Sequence, residues 1–179
     1  MSGSNQKLAS TIDSLYATDQ NTAKIRPADS AAAAYQRVIR RNFPTVKRIL
    51  DTYGYPSYTL VGQESSDHYF VLVQHSDFNQ AFQQRILEIM RRDVGSKKAS
   101  GKQYAFLTDR IAVTKGERQV YGTQVLMSGH SKVKPCIAPD KLNKRRAAVG
   151  LEPIEAYLEK CNATFYQLNP QQRPQPVAR

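Results

Sequence analysis

Up to about Leu107 the apolar residues of this chain recur every three or four positions, and beyond Arg110 they alternate. The first spacing lines one face of a helix and the second lines one face of a strand. This change of period narrows the fold to a mainly α architecture with one β-hairpin. The expectation is a single compact helical domain, with the hairpin at about 110–126.

Local punctuation places the helices. Leu8, Ile12, Leu15 and Tyr16 form an amphipathic stripe within 4–24, and Pro27 bars its continuation. Ser30 can cap a helix that opens on the alanine run 31–34 and reaches Arg41. A separate helix is expected from Asn42 as cap, with Pro44 in its first turn and Gly54 at its end; Val46, Ile49, Leu50 and Tyr53 form its apolar stripe. Segment 64–76 has strand-like aromatic and β-branched residues at 69–73, but its length and polar start favour a buried helix. Ser76 or Asp77 can cap the next helix, buried through Phe78, Phe82, Ile86, Ile89 and Met90. "GSKKASGK" reads as a loop, and Ser100 to Leu107 as a short helix.

Two β-prone runs, 110–115 and 118–126, flank Lys115-Gly116-Glu117, a composition suited to a hairpin loop. A helix is expected over 140–149, ending at Gly150, and Pro153 opens another to about Cys161. The expected organisation is an N-terminal helix and linker (1–30), a main domain (31–162) and a Pro/Gln-rich tail (163–179).

With 40% hydrophobic and 23% charged residues, the 179-residue chain has the balance of an ordinary soluble globular protein. Its longest apolar stretch, "YFVLV" at 69–73, is far short of a bilayer span, so no membrane partner is expected. "MSGSNQKLAS" lacks the apolar middle of a secretory signal; the expectation is cytoplasmic by default, or exported if a signal peptide has been removed. Cys136 and Cys161 lack metal-binding spacing and read as two buried free thiols, with one disulfide as the alternative in an exported protein. His68, His75 and His130 form no metal-spaced cluster, and no dinucleotide or nucleotide fingerprint appears, so neither metal nor cofactor is expected. The net charge of +11 favours an anionic partner, with Lys and Arg concentrated in 91–102 and 141–150. Solvated helix faces and a flexible loop explain those runs more simply. Nucleic acid is only weakly supported, because no aromatic ladder interleaves them.

Five stretches, "YGYP", "LVGQESSDHYFVLVQHSD", "YAFLTDRIAV", "GERQVYGTQ" and "RRAAVGLEPIEAYL", occur in one order between Asp51 and Leu158. In that order they resemble a family of bacterial domains of unknown function, whose pattern runs Gly-Trp-Pro, Val-Gly, Gln-His, Asp-Arg, Tyr-Gly-Thr-Gln and Arg-Arg…Val-Gly-Leu. Tyr55 stands where the family has Trp. "IAPD" at 137–140 stands where the family more often has an acidic pair before proline. The resemblance implies candidate residues and no reaction.

Those candidates are Gln74, His75, Asp109, Arg110, Gln119, Tyr121, Gln124, Arg145 and Arg146. At the end of the most apolar segment, His75 can carry protons near neutral pH from a partly buried pocket. A core histidine bonded to a backbone carbonyl is the alternative. Asp109 is expected to orient His75 or to pair with Arg145 or Arg146, a pairing that a purely structural network explains equally. Read as a strand, 118–125 puts Gln119, Tyr121 and Thr123 on one face, with Gly122 permitting close approach of a backbone or ligand. Tyr121, Gln119 and Gln124 then position a ligand, or pin the hairpin to the helices.

Three functions compete. One is a small enzyme-like domain whose polar pocket holds a phosphate- or carboxylate-bearing small molecule on Arg110 and Arg145 or Arg146, with His75 as acid/base. The second is a non-catalytic module for an anionic partner such as nucleic acid. In the third, the motif residues only hold the fold.

Overall fold

The computed structural model describes residues 3–22, 28–94 and 100–173. The break at Pro27, most of the loop around Lys97 and Lys98, and the last residues of the tail lie outside them. The chain divides into two compact units, Met1–Ala99 and Ser100–Arg179. Among the described residues it is mainly α, with eight α-helices and one two-stranded antiparallel hairpin. Among the described residues no helix is long and apolar enough to cross a membrane.

The first unit holds α1 (Gly3–Asn21), α2 (Ala28–Tyr53), α3 (Tyr58–Val61), α4 (Gln63–Gln74) and α5 (Gln80–Val94). Helix α1 packs against α4, α2 and α3. Leu8, Ile12, Val46, Ile49, Leu50, Tyr69, Val73, Ile86 and Met90 are all buried. Segment 64–76 is helical as expected through Gln74, buried on several sides, and the Tyr69 hydroxyl donates to Val46 O at 2.9 Å.

Three expectations need correction here. Helix α2 runs unbroken through Asn42 and Pro44. Asn42 is buried and donates its side-chain amide to Leu15 O at 3.2 Å, so it bridges to α1 instead of capping. Ala34, Ile39, Val46 and Ile49 continue one buried stripe past the proline, and that burial offsets the hydrogen bond Pro44 cannot make. Tyr53 is exposed. Helix α5 begins later than expected, with Asn79 Oδ1 accepting from Phe82 N at 3.1 Å, and leaves Phe78 outside it, edge-on to Phe43 and beneath the Arg40 guanidinium.

The second unit holds α6 (Gly101–Thr114), β1 (Val125–Leu126), β2 (Lys132–Val133), a 3-10 turn (Pro139–Lys141), α7 (Leu142–Ala148) and α8 (Ile154–Leu168). Ser100 caps α6, as its side chain accepts from Gln103 N. The hairpin lies later than 110–126: Val125 pairs with Val133 and Leu126 with Lys132. Residues 110–114 are helical. Ala105, Asp109 and Ala112 are buried on one face of α6 and Leu107 and Ile111 on the opposite face, so the buried positions alternate in sequence although the segment is helical. Helix α8 continues to Leu168, well beyond Cys161. Asn162 Oδ1 accepts from Ser131 N, and the Tyr166 hydroxyl donates to Gly129 O, so α8 holds the hairpin loop. Cys136 and Cys161 are buried free thiols.

Candidate functional site

In the second unit the segment after α6 is irregular. One bridge pairs Gln119 with Cys136, and 120–124 has no strand ladder, so the expected alternation of faces does not apply. A buried backbone must still satisfy its polar groups, and side chains do so here. The Asp109 carboxylate, fully buried on α6, accepts from Val120 N (2.8 Å), Tyr121 N (3.0 Å) and Thr123 N (2.8 Å), and from the Thr123 hydroxyl (3.0 Å). Gln119 Oε1 accepts from Gln124 N at 2.7 Å, while its Nε2 donates to Gln124 O and Lys134 O.

The carbonyls face cations. Arg145 donates to Val120 O at 2.6 Å and also to Ile137 O and Ala138 O. Arg146, completely buried, donates to Tyr121 O at 2.7 Å, to Gly122 O at 3.4 Å and to Glu152 O at 2.7 Å. Its guanidinium lies 5.0 Å from the Tyr157 ring centroid, and Nη2 is buried with no hydrogen-bond partner. Burial lowers the Arg146 pKa, an effect opposed by Tyr157, Glu152 and Asp109. The Tyr157 hydroxyl donates to Thr123 O at 2.9 Å. The loop is thus held between a carboxylate on its amides and two guanidiniums on its carbonyls. Asp109 binds backbone, instead of pairing with Arg145 or Arg146.

Gly122 completes the frame. Its φ is +66°, and an added Cβ would lie 3.0 Å from Val133 Cγ2 and 3.3 Å from both Cys136 Sγ and Leu142 Cδ2. What approaches this glycine is the unit's own side chains. Tyr121, half-buried, meets Tyr104 edge-on, and burial raises its pKa. Gln124 Nε2 donates to the Thr123 hydroxyl at 3.3 Å. Arg110 is half-buried on α6.

His75 and Gln74 belong to the first unit, at the C-terminal end of α4. His75 Nδ1 lies 2.8 Å from Asp19 Oδ2, and the Asp19 side chain is 1% exposed against 24% for His75. A carboxylate only accepts, so Nδ1 carries the proton and Nε2 is the basic nitrogen of the neutral ring. Gln20 Nε2 also donates to Asp19 Oδ2, Asp19 Oδ1 is buried without a hydrogen-bond partner, and the Tyr35 ring stands edge-on to the imidazole. The carboxylate that orients His75 is therefore Asp19, not Asp109. Two turns earlier on α4, His68 Nδ1 lies 2.8 Å from Asp13 Oδ1 and stacks on Tyr16 at 3.8 Å. Gln74 contributes its carbonyl, which accepts from Gln83.

Asp19, Asp13 and Tyr157 were missed by sequence reasoning. The two aspartates sit on an ordinary amphipathic helix, and no local motif marks them; a polar residue inside the buried stripe of α1 is the one available signal. Among the described residues, no group of three His, Cys, Asp or Glu could hold a metal ion.

Residues 19–169 match a family described as a family of unknown function (DUF6624). No curated protein and no solved structure matches the chain.

Proposed function

The chain belongs to the DUF6624 family of unknown function, and from that premise we propose that its first unit carries an acid–base centre. His75 is the proton carrier and Asp19 its orienting carboxylate. One observation carries this reading: a buried carboxylate lies 2.8 Å from Nδ1 of an imidazole that keeps a solvent-facing portion. The arrangement fixes the tautomer and leaves Nε2 to take up or deliver a proton at a bound ligand. No described group hydrogen-bonds Nε2. In this reading the ligand is a small phosphate- or carboxylate-bearing molecule, in keeping with the net charge of +11. The free thiols of Cys136 and Cys161 support a reducing, cytoplasmic setting.

Long-range nitrogen–proton NMR tests the centre without knowledge of the substrate. The neutral wild-type ring should show protonation at Nδ1, and Asp19→Asn should release that preference. His75→Gln should keep the fold, while turnover across a panel of phosphate and carboxylate esters falls by about 100-fold or more. An Nε2-protonated ring in the wild type, or turnover indifferent to His75→Gln, would refute the assignment.

A further inference from the structure

A second feature of the first unit is independent of the histidine. Helices α1 and α2 leave a cleft between them with two lobes, of about 580 and 380 Å³, which share Thr11, Thr45 and Arg48. One end is lined by Thr18 and Arg41, the other by Lys7 and Tyr53. From Arg41 to Thr52 the α2 wall rises about 16 Å, longer than one phosphate requires.

The charge of this cleft is one-sided. Its titratable lining is Lys7, Arg41, Arg48 and the terminal Tyr53, with no carboxylate, and Ser10, Ser14 and Thr45 add hydroxyls between the cations. Several other basic groups of this unit have partners: Lys47 and Arg85 meet Asp51, Arg91 meets Glu88, and Arg40 lies over Phe78. Among the described residues no carboxylate pairs with Lys7, Arg41 or Arg48. Arg40 and Arg41 are sequence neighbours, so the difference follows the face of α2 and not its composition. The α1 aspartates, Asp13 and Asp19, are taken up by His68 and His75 of α4.

From these observations we infer that the α1–α2 cleft binds a single-stranded phosphodiester chain. Arg41 and Arg48, seven positions and about 10 Å apart along one helix, suit successive anionic groups of a linear ligand. Tyr53, 54% exposed at one end, provides a flat aromatic surface on which a base can stack. Sulfated polysaccharides share the charge but have no base for Tyr53.

Fluorescence anisotropy with a labelled oligothymidylate and the full chain tests this. Binding should weaken with salt, with a log–log slope of roughly −0.7 for each phosphate neutralised. Arg41→Gln with Arg48→Gln should lower affinity at least tenfold and flatten the slope by about 1.4. The charge-matched pair Arg85→Gln with Arg91→Gln should change both far less. Tyr53→Ala, at an exposed position that leaves the fold intact, should lower affinity about tenfold or more while the slope stays constant. Three results would overturn the inference: no binding by the wild type, equal losses from the two charge-matched pairs, or heparin or duplex competing as well as single strand with Tyr53→Ala silent. If the Arg41 and Arg48 double variant loses its helical circular dichroism, the Tyr53→Ala arm and the competition decide alone.

Discussion

Asp109 Oδ2 accepts both the backbone amide of Thr123, at 2.8 Å, and its hydroxyl, at 3.0 Å. Asp109 Oδ1 meanwhile accepts from Val120 N. One buried carboxylate thus shapes a segment that makes no ladder of its own, and Arg145 and Arg146 close the segment from its carbonyl side. The polar residues of "ERQVYGTQ" and their Asp-Arg and Arg-Arg companions are largely explained by that frame.

Asp109→Asn preserves volume but places an amide donor against backbone donors. The expected loss is about 3 kcal/mol, and Thr123→Val should cost about 1 kcal/mol. Urea denaturation followed by circular dichroism measures both. Equal small losses would show that the carboxylate does not organise the loop.

Arg146→Lys should also be costly, by about 3 kcal/mol. A lysine cannot reach Tyr121 O, Gly122 O and Glu152 O from one planar fork, and its charge would be buried with fewer acceptors. Thermal melting that leaves Arg146→Lys indistinguishable from wild type would count against the frame.

Gly122 and Gly54 provide a contrast. Both have left-handed φ, +66° and +73°, but an added Cβ at Gly54 meets nothing within 4 Å. Gly54→Ala should cost about 1 kcal/mol. Gly122→Ala adds contacts at 3.0 and 3.3 Å to that strain and should cost clearly more. Chemical denaturation of the two variants gives the order directly.

Alkaline pH should weaken the second unit through Tyr157. Burial, with Cys161 beside it, pushes the phenol from 10.0 up to about 12. A raised folded-state pKa contributes stability that is complete below 10.0 and is lost as pH climbs towards about 12. The melting temperature should fall more between about pH 9 and about pH 11 in the wild type than in Tyr157→Phe. An equal fall in both would remove Tyr157 from the account.

Retention on heparin should follow the net charge of +11 and be reversed by moderate salt. Arg145→Ala should leave retention unchanged, because its guanidinium is directed at Val120 O, Ile137 O and Ala138 O, yet should lower the melting temperature. Loss of retention from that single change would place the dominant anion contact at Arg145.

The mainly α class was legible because helical periodicity is carried by neighbours in sequence, and "SDFNQAFQQRILEIM" shows it without any tertiary knowledge. The hairpin position was not. Ile111, Val113 and Thr114 favour a strand locally, but burial of Ala105, Asp109 and Ala112 on one face keeps them helical. The motif residues were also legible as a set, through the order of their short stretches. Their roles were not, because a buried Asp beside two arginines suggests an ion pair until the intervening loop's amides and carbonyls are located.

By itself the sequence determined that helices dominate, that most of the polar motif residues would need partners, and that the surface would be strongly basic. These depend on residue type and short-range spacing, which a linear reading contains. Only the tertiary structure decided which partners were met: Asp19 for His75 across 56 positions, and the loop backbone for Asp109. Hydrogen bonds form over about 3 Å, and which groups come within that distance depends on how α1 packs on α4 and how the loop folds over α6. The same packing turned Arg41 and Arg48 towards an uncompensated cleft while their neighbours found partners, a distinction that composition alone does not carry.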